Sequence, residues 1–135
     1  MTFINMVRCY GNVLTMKQKV RVHLSLKMKI CLSGDAAFKR LNVNLNLKIA
    51  VVAPNGDFIS YCGMWHDPSS KNVLVEPVAT DPAFRRMGLG RAAVLEAGLR
   101  CGKLGATNAF VVSSQQFYYN IGFRPTSTST FWKQL

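Results

Sequence analysis

The stretch TDPAFRRMGLGRAAV, residues 80–94, places a proline turn, three arginines and two glycines directly before a run of helix-forming residues. A helix begins with about four backbone N–H groups that lack partners, and its peptide dipoles add roughly half a positive charge there. Gly88 and Gly90 remove side chains that would hold a bulky anion away from those groups. Fixed positive charge comes from Arg85, Arg86 and Arg91. The stretch therefore predicts a phosphate-binding cradle at the start of a helix.

Two known classes of phosphate-binding loop have sequence patterns that can be compared with these residues. GLGRAA, residues 88–93, fits the G-x-G-x-x-A fingerprint of dinucleotide-binding folds, which needs an acidic residue about twenty positions later for the ribose. No Asp or Glu follows Glu96, and the charged DPAFRRM separates the strand from the glycines where a tight turn is required. A Walker loop is excluded because no Gly-Lys-Ser/Thr follows. The cradle therefore fits neither class.

Strand patterns precede the cradle. Residues 20–30 alternate between apolar side chains and polar or basic side chains, which is typical of a strand with one solvent-exposed face. Residues 45–53 and 58–65 form a predicted hairpin through the turn APNGD, and a strand over residues 73–80 completes a meander. By strand alternation, Glu76, Val78 and Thr80 are expected to point the same way. His66 and Asp67 fall at the second turn and are expected to be solvated.

A helix and a buried strand follow the cradle. The apolar face of the helix is predicted from its spacing as Ala92, Leu95, Leu99 and Gly102, widened by Val94, Ala97, Cys101 and Leu104, with Gly105 as the C-cap. TNAFVV, residues 107–112, reads as a strand, so the link is a βαβ crossover with a parallel or splayed strand pair. A short helix at residues 115–121 ends at Gly122, and one or two antiparallel strands follow. The fold class is α+β, with a mixed, mostly antiparallel sheet and few helices.

Composition bounds the function. At 135 residues the chain is long enough for one core and is predicted to be a single domain. Residues 1–50 carry nine Lys and Arg against one acid, which favours polyanions in general, although aromatic residues are not interleaved with the basic 20–30 strand as nucleic-acid stacking would need. The four cysteines include no C-x-x-C pair, so no metal is predicted. No membrane span or secretory signal is apparent, and a soluble cytoplasmic protein is expected.

The spacing Arg85-x-x-Gly88-x-Gly90, preceded by EPVATDP and followed by FYYNIGF, resembles the GNAT superfamily of acetyl-CoA-dependent N-acetyltransferases. The resemblance covers residues 45–124 and implies a twisted sheet with flanking helices that binds acetyl-CoA. It implies that the loop binds the pyrophosphate of coenzyme A through Arg85, Arg86, Met87, Gly88, Leu89, Gly90 and Arg91. It implies that the pantetheine arm pairs with the exposed backbone of Val78, Ala79 and Thr80.

The resemblance also implies a direct transfer within a ternary complex. Tyr118, four residues before the glycine of the GF motif, takes the place of the acid that protonates the leaving thiolate, and its neighbour Tyr119 points about 100° away. Glu76, on the strand before the cofactor contacts, is the candidate base, directly or through water. Many members carry an Asn where this chain has Val111, and Ser113 or Ser114 is a substitute for that pantetheine contact.

Residues 1–44 depart from the family pattern. The family places a strand and two helices ahead of the meander, and Ile30 to Leu45 leaves no room for both helices. This part is therefore divergent or truncated, and a homodimer would supply a missing wall of the acceptor site. The leading function is acetylation of a primary amine on a small molecule or peptide. The alternative is a catalytically weak GNAT-fold module that binds acyl-CoA or a polyanion.

Overall fold

The computed structural model describes the backbone of residues 2–9, 28–30 and 43–130, and the side chains of residues 43–128. Two helices lie on a sheet. A short 3-10 turn at Leu45–Leu47 precedes the strand that begins at Lys48, and a second at Pro82–Phe84 precedes the first helix. The strands are β1 (Thr2–Cys9), β2 (Met28–Ile30), β3 (Lys48–Val52), β4 (Phe58–Asp67), β5 (Asn72–Thr80), β6 (Asn108–Val112) and β7 (Arg124–Thr130). The helices are α1 (Leu89–Lys103) and α2 (Gln116–Asn120).

The described strands form one sheet in the order β2-β3-β4-β5-β6-β1-β7. All neighbours are antiparallel except β5 and β6, which run parallel and are joined by the crossover through α1. The predicted α+β class, with a mixed and mostly antiparallel sheet, is therefore confirmed. Within the described ranges, no helix is long and apolar enough to cross a membrane.

The first strand is the feature that the sequence did not predict. β1 lies between β6 and β7 and pairs with both of them. Of the strand predicted over residues 20–30, the structure describes only Met28–Ile30, which pair with β3 as an edge strand, and residues 20–27 lie outside the described part. The hairpin between β3 and β4 turns at Gly56, whose φ of 97° needs the freedom of glycine.

The parallel pair β5–β6 separates after three residue pairs. Asn72, Val73 and Leu74 pair with Asn108, Ala109 and Phe110, whereas β5 continues to Thr80 with no partner on this side among the strands that the structure describes. Buried backbone N–H and C=O groups need hydrogen-bond partners, so a strand edge inside a fold calls for a ligand or solvent. The predicted splayed pair is therefore present, and it opens a cleft.

A β-bulge lies in β5 just before the cleft. Met64 pairs with Val75 and Cys62 pairs with Val78, so Glu76 and Pro77 both stand opposite Gly63. A Cβ at residue 63 would lie 2.7 Å from the carbonyl oxygen of Glu76, which explains the glycine. The extra residue shifts the alternation, and Val78 and Thr80 join the face of Val75. The prediction that Glu76 shares their face is therefore wrong.

The core lies between the sheet and α1, and residues around α2 close one end of it. The buried side chains of α1 include Ala93, Val94, Ala97 and Cys101, whereas Leu99 is 38% exposed and Leu104 is 50% exposed. The predicted face is therefore wrong in part. Small side chains let the helix approach the sheet closely, so the buried stripe follows side-chain size and not only hydrophobicity.

Candidate active site

A cleft of about 1000 Å³ opens where β5 and β6 separate. The end of β5, the following loop, the start of α1 and the region of α2 form its walls. Of the residues predicted from sequence, the lining brings together Val78, Ala79, Thr80, Arg85, Arg86, Gly88, Leu89, Gly90, Arg91 and Tyr118. It also includes five residues that the sequence did not single out: Phe84, Gln115, Phe117, Asn120 and Ile121.

Three of the predicted site residues do not line the cleft. Met87 is 53% exposed in the loop before α1. The hydroxyl of Ser113 accepts a hydrogen bond from the Gln115 N–H at 3.3 Å and so stabilises the approach to α2. Glu76 lies in the bulge with an exposed side chain. Ser113 therefore has a local contact with Gln115 and does not line the cleft. Val111, which stands where many family members carry an Asn, is buried.

The loop that leads into α1 is held at its β5 end. Asp81 donates its N–H to the Ile59 carbonyl at 2.9 Å, and its carboxylate accepts from the Ala83 N–H at 2.8 Å. Arg85 Nε lies 3.4 Å from the Thr80 carbonyl oxygen. These contacts fix the turn between β5 and the helix, with one carbonyl of β5 already in contact with an arginine.

Helix α1 begins at the cleft without a side-chain cap. Gly88 is its N-cap with φ 78°, no acidic residue occupies the first turn, and the first helical bond runs from Ala92 N–H to the Gly88 carbonyl at 2.9 Å. The N–H groups ahead of that bond are the ones that a helix leaves for an external acceptor. Arg86, with φ 63°, also adopts the left-handed conformation in this loop.

The two glycines of the loop have different roles. A Cβ on Gly88 would meet nothing within 4 Å, so this glycine is needed for its positive φ and leaves open space in front of the helix. A Cβ on Gly90 would lie 3.0 Å from Thr80 Oγ1 and 3.5 Å from the Phe117 ring. Gly90 therefore allows β5, α1 and α2 to converge, which the sequence argument about phosphate access did not foresee.

Hydrogen bonds from Ser60 hold the end of β5. Its buried hydroxyl lies 3.0 Å from the Ala79 carbonyl and 2.8 Å from Thr80 Oγ1. Ser60 belongs to β4, so the neighbouring strand holds the side of β5 that faces away from the opening. The end of β5 that would contact a ligand is thereby bonded to β4 through a side chain as well as through the backbone ladder.

Tyr118 lines the cleft from α2 and is only 7% exposed. Its ring packs edge-on against Phe117 at 5.0 Å and Phe123 at 5.7 Å. Burial raises the pKa of Tyr118, and electrostatic coupling to Cys62 and Glu76 adds to this shift. The phenol is therefore protonated at neutral pH and can donate a proton. Tyr119 is half-buried, packs against the core and does not line the cleft.

Glu76 and the end of β4 lie beside this arrangement. The Glu76 carbonyl accepts a hydrogen bond from Trp65 Nε1 at 3.1 Å. The prediction that His66 is a solvated turn residue is wrong, because it belongs to β4 and its Nε2 is buried, with no hydrogen-bond partner among the described residues. Asp67 is exposed, and hydrogen bonds from Ser70 and Ser69 lower its pKa to about 2.

A model of the acetyltransferase (GNAT) domain family matches residues 46–125, which include the cleft, the loop and both helices. The chain belongs to the GNAT family of acetyltransferases. The comparison with curated protein sequences gives no match.

Solved structures support the GNAT fold. A GCN5-related N-acetyltransferase from Sphaerobacter thermophilus aligns with a TM-score of 0.70 at 9% identity, over 94% of this chain and 49% of that chain. A second from Kribbella flavida has a TM-score of 0.63 at 16% identity, over 95% and 56%. A glucosamine N-acetyltransferase region of a fungal multi-domain GH3 β-N-acetylglucosaminidase has a TM-score of 0.69 at 14% identity, over 95% and 20%. The GNAT chain thus spans about half the length of the Sphaerobacter thermophilus protein and about a fifth of the fungal protein.

The cleft of this GNAT domain fits the acyl donor that the family uses, acetyl-CoA. A diphosphate needs several N–H donors and positive charge, and the uncapped start of α1 lies between Arg86 and Arg91. The pantetheine arm carries amide groups, and the unpaired edge of β5 offers backbone partners for them. Among the described residues, no group of three or more metal-ligating side chains is present.

Proposed function

We propose that this GNAT domain transfers the acetyl group of acetyl-CoA to a primary amine by direct attack in a ternary complex. The observation that carries the proposal is the convergence, in one cleft, of an unpaired strand edge, an uncapped helix N-terminus and a protonated tyrosine. The strand edge aligns an extended arm, the helix binds a diphosphate, and the tyrosine lies where the two walls meet.

In the proposed complex, the pyrophosphate accepts hydrogen bonds from backbone N–H groups of Gly88, Leu89 and Gly90, and its charge is balanced by Arg85 and Arg86. The pantetheine arm extends along residues 78–80 toward the apex of the cleft. Because Ser60 already fixes Ala79 and Thr80, little conformational entropy is lost when the arm pairs with them.

The transfer requires two proton movements: the amine must lose a proton, and the leaving thiolate must receive one. The amine nitrogen attacks the thioester carbonyl carbon, a C–N bond forms, and the C–S bond breaks to release the thiolate. Tyr118 donates its phenolic proton to that thiolate. The proton lost by the amine passes to Glu76 through water, because the exposed carboxylate lies at the bulge and not in the wall of the cleft.

Isothermal titration with acetyl-CoA tests the cradle. Gly88→Asp places a negative charge in front of the helix and should weaken binding at least tenfold. Gly56→Asp is the matched control, since Gly56 also has a positive φ and open space around its Cβ position but lies in the β3–β4 turn. Equal affinities for the wild type and a folded Gly88→Asp variant would remove the cradle and the proposed function with it.

A second candidate is a GNAT-fold module that binds acyl-CoA and transfers it poorly. The position of Glu76 outside the cleft lining favours it, because no other carboxylate lines the cleft within the described part of the chain. Tight binding of acetyl-CoA without turnover of any amine would support this alternative. Steady release of coenzyme A in the presence of an amine would exclude it.

A further inference from the structure

A second pocket, of about 440 Å³, lies at the apex of the splayed strands. Its apolar walls are Trp65 of β4, Leu74 of β5 and Phe110 of β6. Leu74 and Phe110 are the last residues that pair β5 with β6 before the cleft opens. The pocket therefore lies beside the last β5–β6 pair, at the closed end of the gap.

The pocket opens on the sheet face opposite α1. Trp65 pairs with Leu74, one residue away from the pair Met64–Val75 that is buried in the core. Met64 Sδ lies 3.7 Å from Cys101 Sγ of α1, which identifies its face as the helix face. Because side chains alternate along a strand, Trp65 and Leu74 lie on the other face, where they are 40% and 37% exposed.

Trp65 connects this pocket to the proposed chemistry. Its indole N–H donates to the Glu76 carbonyl at 3.1 Å, so one wall of the pocket holds the bulge that carries the candidate base. A molecule bound against Trp65 therefore lies beside Glu76. The cleft lies on the helix face and the pocket on the opposite face, so an acyl donor in one and an amine in the other would have to meet through the gap between β5 and β6.

Charges around the pocket disfavour a polycation. Lys48 is 1% exposed, donates to the Met64 carbonyl at 3.1 Å, and holds its Nζ 3.5 Å from the centroid of the Trp65 ring. Within residues 43–128 it has no carboxylate partner. Asp67, the acid that lines the pocket, already accepts hydrogen bonds from Ser69 and Ser70. A ligand with several ammonium groups would meet a cation behind the aromatic wall and a single carboxylate, Asp67, in the lining.

We propose that this pocket is the acceptor site and that it takes a primary amine carried on an uncharged aromatic or aliphatic body, not a polyamine or a lysine-rich peptide. The inference rests on the proposed acetyl transfer for its chemistry. An aromatic or aliphatic body packs against Trp65, Leu74 and Phe110, and its single amine reaches the thioester at the apex.

The test uses 2-phenylethylamine and spermidine as probes. Trp132→Phe leaves Trp65 as the single tryptophan of the chain, so its fluorescence reports on the pocket without acetyl-CoA. We expect a saturable change with 2-phenylethylamine and none with spermidine at equal concentration. Leu74→Asn, which makes the wall polar without adding charge, should weaken the aromatic amine at least tenfold. Leu99→Asn is the matched control, because Leu99 is 38% exposed on α1 and lines neither cavity.

The outcomes separate the two proposals. If Trp65 does not respond to 2-phenylethylamine, or if spermidine binds more tightly, the acceptor inference is overturned while calorimetry of acetyl-CoA still decides the transferase proposal. If acetyl-CoA does not bind but the aromatic amine saturates Trp65, the transferase proposal fails and the pocket stands as an amine site. Should Leu74→Asn not fold, the titrations of the Trp132→Phe protein with the two amines decide alone.

Discussion

The contact between Gly90 and Thr80 supports a double-mutant test of how the cleft is built. A methyl group at residue 90 would lie 3.0 Å from Thr80 Oγ1, a hydroxyl that is itself 2.8 Å from Ser60 Oγ. Thr80 therefore cannot turn away without losing a hydrogen bond. Overpacking of this kind lowers the free energy of unfolding by about 1–3 kcal/mol, and the higher helix propensity of alanine raises it by up to about 1 kcal/mol.

Gly90→Ala alone should therefore lower the free energy of unfolding by roughly 1 kcal/mol. In a Thr80→Ala background the close contact is absent, and the same change should be neutral or stabilising. The expected coupling between the two sites is about 1–2 kcal/mol, measured by urea denaturation of the four proteins. Equal effects of Gly90→Ala in both backgrounds would refute the convergence of β5 and α1 at this glycine.

Two further predictions concern ionisable groups. Tyr118→Phe should lower kcat about a hundredfold and leave acetyl-CoA affinity unchanged, whereas Tyr119→Phe, outside the cleft, should not; an undiminished rate for Tyr118→Phe would remove its role as acid. Burial raises the pKa of Cys62 to about 12 and that of Cys101 to about 11, from 9.0, so the folded state keeps protons that the unfolded state loses. For each thiol, the free energy of unfolding should fall by about 1.4 kcal/mol per pH unit between pH 9 and the pKa of that thiol in the folded state. The pKa of Lys48 is lowered from 10.5 in the folded state, so this residue makes the free energy of unfolding rise with pH below 10.5. Urea denaturation under reducing conditions at pH 8 and 10 should show a decline that Cys62→Ala/Cys101→Ala lacks, and identical slopes for the two proteins would contradict the buried, protonated state of the thiols.

Local signals predicted the elements that depend on local physics. The Asn55-Gly56 turn forms as expected, with the Ala53 N–H bonded to the Asp57 carbonyl at 2.8 Å. Helix α1 starts after the glycine N-cap and ends near Gly105, whose φ is 90°. These features are set by backbone conformations that only a few residue types adopt, so a single sequence is enough to find them.

Features set by contacts between distant segments could not be predicted in the same way. The insertion of β1 between β6 and β7 depends on pairing across most of the chain. The bulge at Glu76 and Pro77 depends on Gly63, which lies on another strand. The cleft residues that were missed include Phe117 and Asn120, which lie inside FYYNIGF beside Tyr118 but reach the cleft only through the packing of α2.

The bulge also decides how the proposed acid and base are arranged. Without it, Glu76 would share a face with Val78 and Thr80, which line the cleft together with Tyr118. With it, Glu76 stands opposite Gly63, on the face of Trp65, while Tyr118 stays in the core on the helix side. In the proposed reaction, the base then meets the amine from the pocket side and the acid meets the thiolate from the cleft side. One inserted residue in β5 thereby assigns the two proposed proton transfers to opposite faces of the sheet, while the Glu76 carboxylate stays near enough to contribute to the raised pKa of Tyr118.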